Sequence, residues 1–251
     1  MKKKIIIILG IVLSIIIFII FYTLSNKDNP NTFKIDSRIT TLEEHINKDE
    51  NIVSWIKVSG TNIDYPVIYG PSVDKSQVEY DFAWINRKED TLSNRTVLFG
   101  HNILNVSSKP LINAPNHRRF EQLMGFIYKD FAKENQFIQY TVDNKDYIFR
   151  IFSVSFVLSD ELDKTNLTSI EKRKEYINKS LDDSMYTYDI NVDENDKLIT
   201  LVTCTRFFGN DLDIVFKIDA RLIREDEKLS LEKLKVKEKY KILVEEGRFS
   251  E

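Results

Sequence analysis

Short runs of apolar and β-branched residues, separated by polar clusters and turn residues, are the feature that most constrains the fold. Runs of this kind predict strands. They lie in 52–69, as two strands, and in 96–99, 137–142, 147–158, 198–205 and 213–223. Helical patterns interrupt them in 120–134 and 160–185. Many short strands with few helical insertions favour a mainly β fold, a mixed β-barrel, over a parallel α/β sheet.

The N-terminal segment predicts a membrane anchor. Residues 1–4 are basic and residues 5–24 carry no charge. Twenty helical residues span about 30 Å, the thickness of the hydrocarbon layer. No small-residue cleavage pattern follows, so we expect an uncleaved transmembrane helix rather than a signal peptide or a buried core helix. The positive-inside rule makes 1–4 a cytoplasmic stub and places the remainder outside the cell membrane, in a single-pass topology.

The rest of the chain is expected to contain one domain with appendages. Residues 25–50 suggest a linker and an amphipathic helix, 51–224 the main domain, and 225–251 a charged tail with loose helical spacing. The pattern leaves open whether this tail docks on the barrel or binds a partner. A net charge of −3 without a long basic block argues against nucleic-acid binding. One cysteine and three scattered histidines offer no metal-ligand spacing, and we expect no cofactor.

Two strand ends carry the candidate chemistry. The run 198–205 contains the chain's one cysteine, Cys204. A lone cysteine is more often a small buried hydrophobic residue than a nucleophile. However, the strand at 96–99 leads into His101, and a histidine far away in sequence is the usual partner of a catalytic thiol. Because about a hundred residues separate the two side chains, only folding can bring them together.

Together these residues resemble the sortases, the membrane-anchored cysteine transpeptidases of Gram-positive cell surfaces. The stretch 200–204 is close to the family's T-L-x-T-C strand, and 99–102 is close to its G-H-N. Residues 55–67 resemble the family's opening strands, and the helical segment before the cysteine strand resembles class B in particular. The resemblance covers about 50–224 and implies a closed sortase-type β-barrel of about eight strands.

The resemblance also implies a reaction. Cys204 would attack a threonine carbonyl in the C-terminal sorting signal of a secreted surface protein and form a thioacyl intermediate. His101 would protonate the leaving amine and deprotonate the incoming one. The incoming amine would come from a peptidoglycan precursor, in cell-wall anchoring, or from a pilin lysine, in pilin polymerisation. The alternative is a catalytically weak or inactive membrane-tethered scaffold or binding module with the sortase fold.

The sequence departs from the family at the arginine that follows the cysteine strand. The family's arginine stands eight or nine residues after the cysteine, where this chain has Leu212 and Asp213. Arg221 would lie about 26 Å from Asp213 along an extended strand, which is too far for its guanidinium to act beside Cys204. Arg206 follows Cys204 by two residues and shares its face if the chain stays extended. Arg206 is therefore the third catalytic candidate; the alternatives are an ordinary surface role for it and stabilisation of the oxyanion by backbone N–H groups alone.

Overall fold

In a computed structural model, the residues described are 33–70, 82–86, 91–112, 119–162, 165, 167–210 and 213–241. The predicted stub and anchor lie outside these ranges. So do Leu212 and His117, a histidine that no motif surrounds and that we expect at a solvated surface. All the elements below belong to one unit of the chain, residues 35–251. No helix in the described ranges has both the length and the apolar character needed to cross a membrane.

Eight strands close into a barrel, which confirms the predicted fold class. In chain order the barrel strands are β1 Ile52–Val58, β2 Asp64–Tyr69, β3 Ala83–Ile85, β4 Arg95–Gly100, β5 Phe137–Val142, β6 Lys145–Leu158, β8 Leu198–Cys204 and β9 Ile214–Leu222. Their order around the barrel is β1-β2-β3-β4-β8-β9-β6-β5. A separate two-stranded sheet contains β7 Tyr186–Tyr188 and β10 Leu234–Val236.

The strand pairings determine which strand ends meet. The β2–β3 and β4–β8 pairs are parallel, and the others are antiparallel. In the parallel β4–β8 pair, Gly100 lies opposite Thr203. In the antiparallel β8–β9 pair, Cys204 lies opposite Val215. The end of β4, the end of β8 and the beginning of β9 therefore meet at one end of the barrel.

Side-chain alternation separates the barrel core from its outer face. On β8, Ile199 and Leu201 join the core, and Thr200 and Val202 therefore point to the outer face. A 3-10 helix, Phe120–Ile127, is buried along its whole length. The sequence predicts one helix over 120–134, but only its second part, Lys129–Glu134, is α-helical. This α-helix is named α2. A Cβ at Gly100 would overlap the Phe120 ring, so close packing requires glycine at the end of β4.

Two further helices cover the barrel. The helix α1, Ile39–Ile46, packs on β1 and β5 with Leu42 buried. The helix α3, Ile170–Asp183, begins after Ser169, whose hydroxyl accepts a hydrogen bond from the Lys172 amide at 3.2 Å. Such a side-chain cap satisfies an amide that has no partner in the first turn. Helix α3 buries Tyr176 and Ile177 against the outer face of the barrel.

The C-terminal tail differs from the helical expectation for 225–251. Its described part, 225–241, contains β10, which pairs with β7, and the 3-10 turn Glu238–Tyr240. The buried Arg150 guanidinium holds the preceding segment by donating hydrogen bonds to the carbonyls of Lys228 and Ser230. Backbone pairing and these contacts dock this part of the tail on the barrel domain, and favour an extended segment over a helix.

Candidate active site

The candidate nucleophile and the candidate base lie side by side because β4 and β8 are parallel. Gly100 is the register partner of Thr203, so the next residues along each strand are His101 and Cys204. Neighbouring strands lie about 4.8 Å apart, which makes these two residues immediate neighbours. The Thr203 hydroxyl donates a 2.8 Å hydrogen bond to the Gly100 carbonyl and fastens the two strand ends together. Folding thus brings together two residues that stand far apart in sequence.

Cys204 does not have the environment of a buried structural cysteine. The preceding residues of β8 are buried, but Cys204 is exposed. Its side chain opens into a cavity of about 730 Å³. The cavity is lined by Asn102, Ile103, Val106, Cys204, Thr205, Arg206, Asn210, Asp213 and Ile214. A thiol at the end of a rigid strand and open to a cavity of this size is accessible to a peptide substrate.

His101 is half-buried and packs on an aromatic residue of β3. The centroids of the His101 and Trp84 rings are 4.9 Å apart, with 47° between their planes. Trp84 in turn stacks on Phe99 of β4, with centroids 6.0 Å apart. This contact limits the orientations open to the imidazole. No sequence signal connects Trp84 with the site.

Asn102 connects the segment after His101 to the cysteine strand. Its side-chain amide donates to the Cys204 carbonyl at 2.9 Å and to the Asn105 carbonyl at 3.1 Å. Its side-chain oxygen accepts from the Asn105 amide at 3.0 Å. Asn102 is itself buried. These three hydrogen bonds fix the direction in which the chain leaves His101, a role that the G-H-N motif alone does not reveal.

A buried carboxylate also holds the segment that follows His101. Glu121, in the 3-10 helix, is 1% exposed. It accepts hydrogen bonds from the backbone amides of Ile103 and Leu104, at 3.4 and 3.1 Å. The Asn105 side chain adds a bond from the Leu111 amide at 2.8 Å and one to the Glu121 carbonyl at 3.0 Å. The cavity wall formed by this loop is therefore held by a network of polar contacts.

The two candidate arginines lie in different places. Arg206 is exposed and lines the same cavity as Cys204. Arg221 lies opposite Leu198, at the other end of β8 from Cys204, and its buried guanidinium pairs with Glu227. From Val215 to Arg221 the strand rises about 20 Å. Arg221 is therefore outside the site, and Arg206 is the cation that the described cavity lining contains.

An apolar strip leads along the outer face of the barrel to Cys204. It consists of the buried residues Val97, Val157, Val202 and Val215. Phe99 and Leu162 pack against this strip and remain partly exposed. Cys204 continues the outward alternation of Val202 on β8. The outer face next to the thiol is therefore apolar, whereas the cavity beyond the thiol also contains charged and amide side chains.

A closed barrel with a thiol and an imidazole at the ends of two adjacent parallel strands defines a candidate thiol enzyme. The Sortase domain family model matches residues 56–221, about two thirds of the chain. The chain therefore belongs to the sortase family, as the resemblance in the motifs predicts.

Individual relatives point to class B. The chain is 26% identical over 175 residues to Sortase B of Staphylococcus aureus. Its identity to Sortase B of Listeria monocytogenes is also 26% over 175 residues. These matches cover 64% of this chain and 65% of each relative, so the chain spans just under two thirds of their length.

Solved structures of class B sortases share the fold. The structure of Clostridium perfringens sortase B superposes with a TM-score of 0.59 at 23% identity, covering 72% of this chain and 99% of that one. A Staphylococcus aureus sortase B–substrate complex superposes with a TM-score of 0.57 at 18% identity, covering 82% of this chain and 92% of the other. The barrel described above is therefore the barrel of class B-like sortases.

Proposed function

We propose that the protein is a cysteine transpeptidase that exchanges one peptide bond for another. The observation that carries this proposal is the parallel β4–β8 register, which places His101 beside the exposed Cys204 at the edge of an open cavity. A thiolate is the nucleophilic form of cysteine, and a neighbouring imidazolium favours it. Trp84 and Asn102 hold the histidine and its loop in this arrangement.

The reaction proceeds in two acyl transfers. The Cys204 thiolate attacks the carbonyl carbon of a sorting-signal threonine, and the peptide C–N bond breaks as the His101 imidazolium protonates the departing amine. The product is a thioester between the threonine carbonyl and Cys204. An incoming amine then attacks this carbonyl and loses a proton to His101, and the C–S bond breaks to regenerate the thiolate. One peptide bond is thereby exchanged for another without any cofactor.

Arg206 is the proposed group that stabilises the negative charge on the carbonyl oxygen. A guanidinium provides several N–H donors in a planar fork, suited to a developing oxyanion. Arg206 lines the cavity, and its side chain makes no hydrogen bond or ion pair within the part of the chain that the structure describes. It is therefore available to a substrate oxygen.

The proposed donor is the C-terminal sorting signal of a secreted surface protein, and the proposed acceptor is an amine of a peptidoglycan precursor or a pilin lysine. Solved sortase B structures include a substrate complex and a complex with triglycine, which supports peptide donors and amine acceptors in relatives of this fold. The apolar segment 5–24 supports a single-pass membrane location with the catalytic domain outside the cell.

Adduct formation tests this proposal directly. The full chain is incubated with a library of sorting-signal peptides, and mass spectrometry searches for a thioacyl adduct on Cys204. We expect adducts with a subset of peptides and none in a Cys204→Ala variant. Cleavage of the same peptides by Cys204→Ala would refute the proposal.

A scaffold with weak or no catalysis is the second candidate, because Asp213 occupies a position where the family has an arginine. Labelling of the thiol by a vinyl sulfone at neutral pH separates the two functions. Rapid labelling that is lost in a His101→Ala variant supports the enzyme, because it shows an activated thiolate. Labelling no faster than that of a small thiol in solution supports the scaffold.

A further inference from the structure

The cavity beside Cys204 is lined by two side chains of opposite charge. Arg206 and Asp213 both line the cavity, and both are exposed. Over the described residues, neither side chain makes a hydrogen bond or an ion pair, and they do not pair with each other. Apart from Cys204, the other described lining residues have side chains that do not ionise. The cavity therefore offers a substrate one cationic and one anionic group.

The backbone that carries the Asp213 carboxylate has a defined position. The Asp213 carbonyl accepts a 2.8 Å hydrogen bond from the Ser159 amide. The next residue, Ile214, begins β9 and pairs with Leu158 at the end of β6. The carboxylate therefore projects from a fixed point at the mouth of the barrel.

The sheet register determines how far this carboxylate lies from the thiol. Cys204 is opposite Val215, and Asp213 precedes Val215 by two residues, so it is a diagonal neighbour of Cys204 on the same face. Residues in this relation are about 7–8 Å apart, and their Cβ atoms are somewhat closer. An amine nitrogen hydrogen-bonded to a carboxylate at about 2.8 Å and placed about 3–3.5 Å from an acyl carbon fits within this gap.

We propose that Asp213 binds the ammonium form of the incoming amine and positions it next to the Cys204 thioester. This inference rests on the proposed function, since it concerns the second acyl transfer. The acceptor class is a primary alkylamine that is protonated at neutral pH. The bound ammonium releases one proton to solvent before the nitrogen attacks the acyl carbon. The second proton passes from nitrogen to His101, the C–N bond forms, the C–S bond breaks and Cys204 leaves as thiolate.

The opposite charges divide the cavity between the two substrates. Arg206 faces the acyl donor, whose carbonyl oxygen becomes negative, and Asp213 faces the acceptor, which arrives positive. An arginine in place of Asp213 would repel the ammonium group by like-charge interaction. In this chain an acid at the family's arginine position thus adds a group that binds ammonium, and Arg206 remains as a cation in the same cavity.

Aminolysis of a simple thioester tests the inference without knowledge of the sorting motif. The full chain is acylated with the benzyl thioester of N-acetyl-threonine, which exchanges with the Cys204 thiolate and releases benzylthiol. Two acceptors are compared at neutral pH: Nα-acetyl-lysinamide, whose side-chain amine is protonated, and hydroxylamine, which is mainly uncharged. The variants are Asp213→Asn and Asp213→Lys. The matched control is Asp226→Asn, an exposed acid beyond the other end of β9.

For Asp213→Asn we expect KM for Nα-acetyl-lysinamide to rise about 5- to 10-fold, the effect of losing one charge-assisted contact at an accessible site. Asp213→Lys should raise it further, and high salt should reduce the difference from wild type. Benzylthiol release and aminolysis by hydroxylamine should stay within about twofold, an energy difference below 0.5 kcal/mol. Asp226→Asn should match wild type in every assay.

Three outcomes would overturn the inference. An unchanged KM for Nα-acetyl-lysinamide in Asp213→Asn, with normal acylation, would show that the carboxylate does not bind the amine. An equal loss with hydroxylamine would show that Asp213 shapes the thiol site instead of binding a cation. Absence of Cys204-dependent benzylthiol release from the wild-type chain would refute the proposed transpeptidase function itself, and this inference with it.

Discussion

A buried ion pair under helix α3 gives the sharpest test of the energetics. Asp219 of β9 is 0% exposed, and its carboxylate lies 2.9 Å from the Lys217 ammonium. It also accepts hydrogen bonds from the Tyr176 hydroxyl at 2.5 Å and the Thr200 hydroxyl at 2.7 Å. The Lys217 ammonium is 3.0 Å from the Ser180 hydroxyl of α3. Helix α3, β8 and β9 therefore depend on one charge cluster.

The substitution Asp219→Asn keeps the shape of the side chain and removes its charge. It leaves the Lys217 ammonium buried without an anion, which costs about 3–5 kcal/mol in free energy of unfolding. A domain has about 5–15 kcal/mol in total, so the variant should lose a large part of its stability. The double variant Lys217→Met with Asp219→Asn should recover part of the loss, because it no longer buries the Lys217 ammonium without an anion.

The cost should depend on pH. Burial raises the pKa of the Asp219 carboxyl, but the charges of Lys217 and Arg95 and the two hydroxyl hydrogen bonds outweigh burial and hold this pKa below its usual value. A lowered folded-state pKa contributes stability that is present above the unfolded value of about 3.9 and is lost as pH falls through the folded value. The difference between wild type and Asp219→Asn should therefore be constant near neutrality and shrink below about pH 4.

Urea denaturation of the full chain, followed by tryptophan fluorescence, measures both effects. The control is Lys179→Gln, because Lys179 forms an exposed pair with Asp183 at 3.1 Å. That variant should change the free energy of unfolding by less than about 0.5 kcal/mol. A cost below about 1 kcal/mol for Asp219→Asn, with no dependence on pH, would refute the reasoning, since it would mean that Lys217 does not need an anion.

Three further predictions concern the site and the anchor. Arg206→Ala should slow thioacyl formation by about 10²- to 10³-fold, with partial rescue in Arg206→Lys and almost no effect of Arg221→Ala; the opposite order in adduct kinetics of folded variants would refute the oxyanion role of Arg206. Asn102→Ala removes three hydrogen bonds, each contributing about 1 kcal/mol, and relaxation of the loop should offset part of the loss, so the free energy of unfolding should fall by about 2 kcal/mol. The variant should also slow His101-dependent vinyl sulfone labelling; unchanged labelling would rule out a positioning role. Protease added to intact protoplasts should release a fragment of about 26 kDa, estimated from the residues beyond the predicted span; a fully protected chain would contradict the predicted topology.

Most of the individual elements could be predicted from the sequence. Strand patterns are local, because alternation and β-branched content are properties of consecutive residues. The hairpin turn between β5 and β6 is an example: Asp143 and Asn144 have φ of 50° and 54°, the left-handed conformation that these residue types tolerate in a two-residue turn. The candidate nucleophile and base could likewise be named from their motifs. The strands β3 and β7, with three residues each, are too short for such a pattern.

Which of these residues share a site depends on contacts between strands that are distant in sequence. The parallel pairing of β4 with β8 depends on contacts distant in sequence, and it is what places His101 beside Cys204. The same folding removes Arg221 to the other end of β9 and leaves Arg206 and Asp213 in one cavity. Alternation also misleads on β9, where Lys217 would be expected to face water. Helix α3 covers that face and buries the side chain, because a neighbouring element, not the local pattern, determines what a strand's outer face contacts.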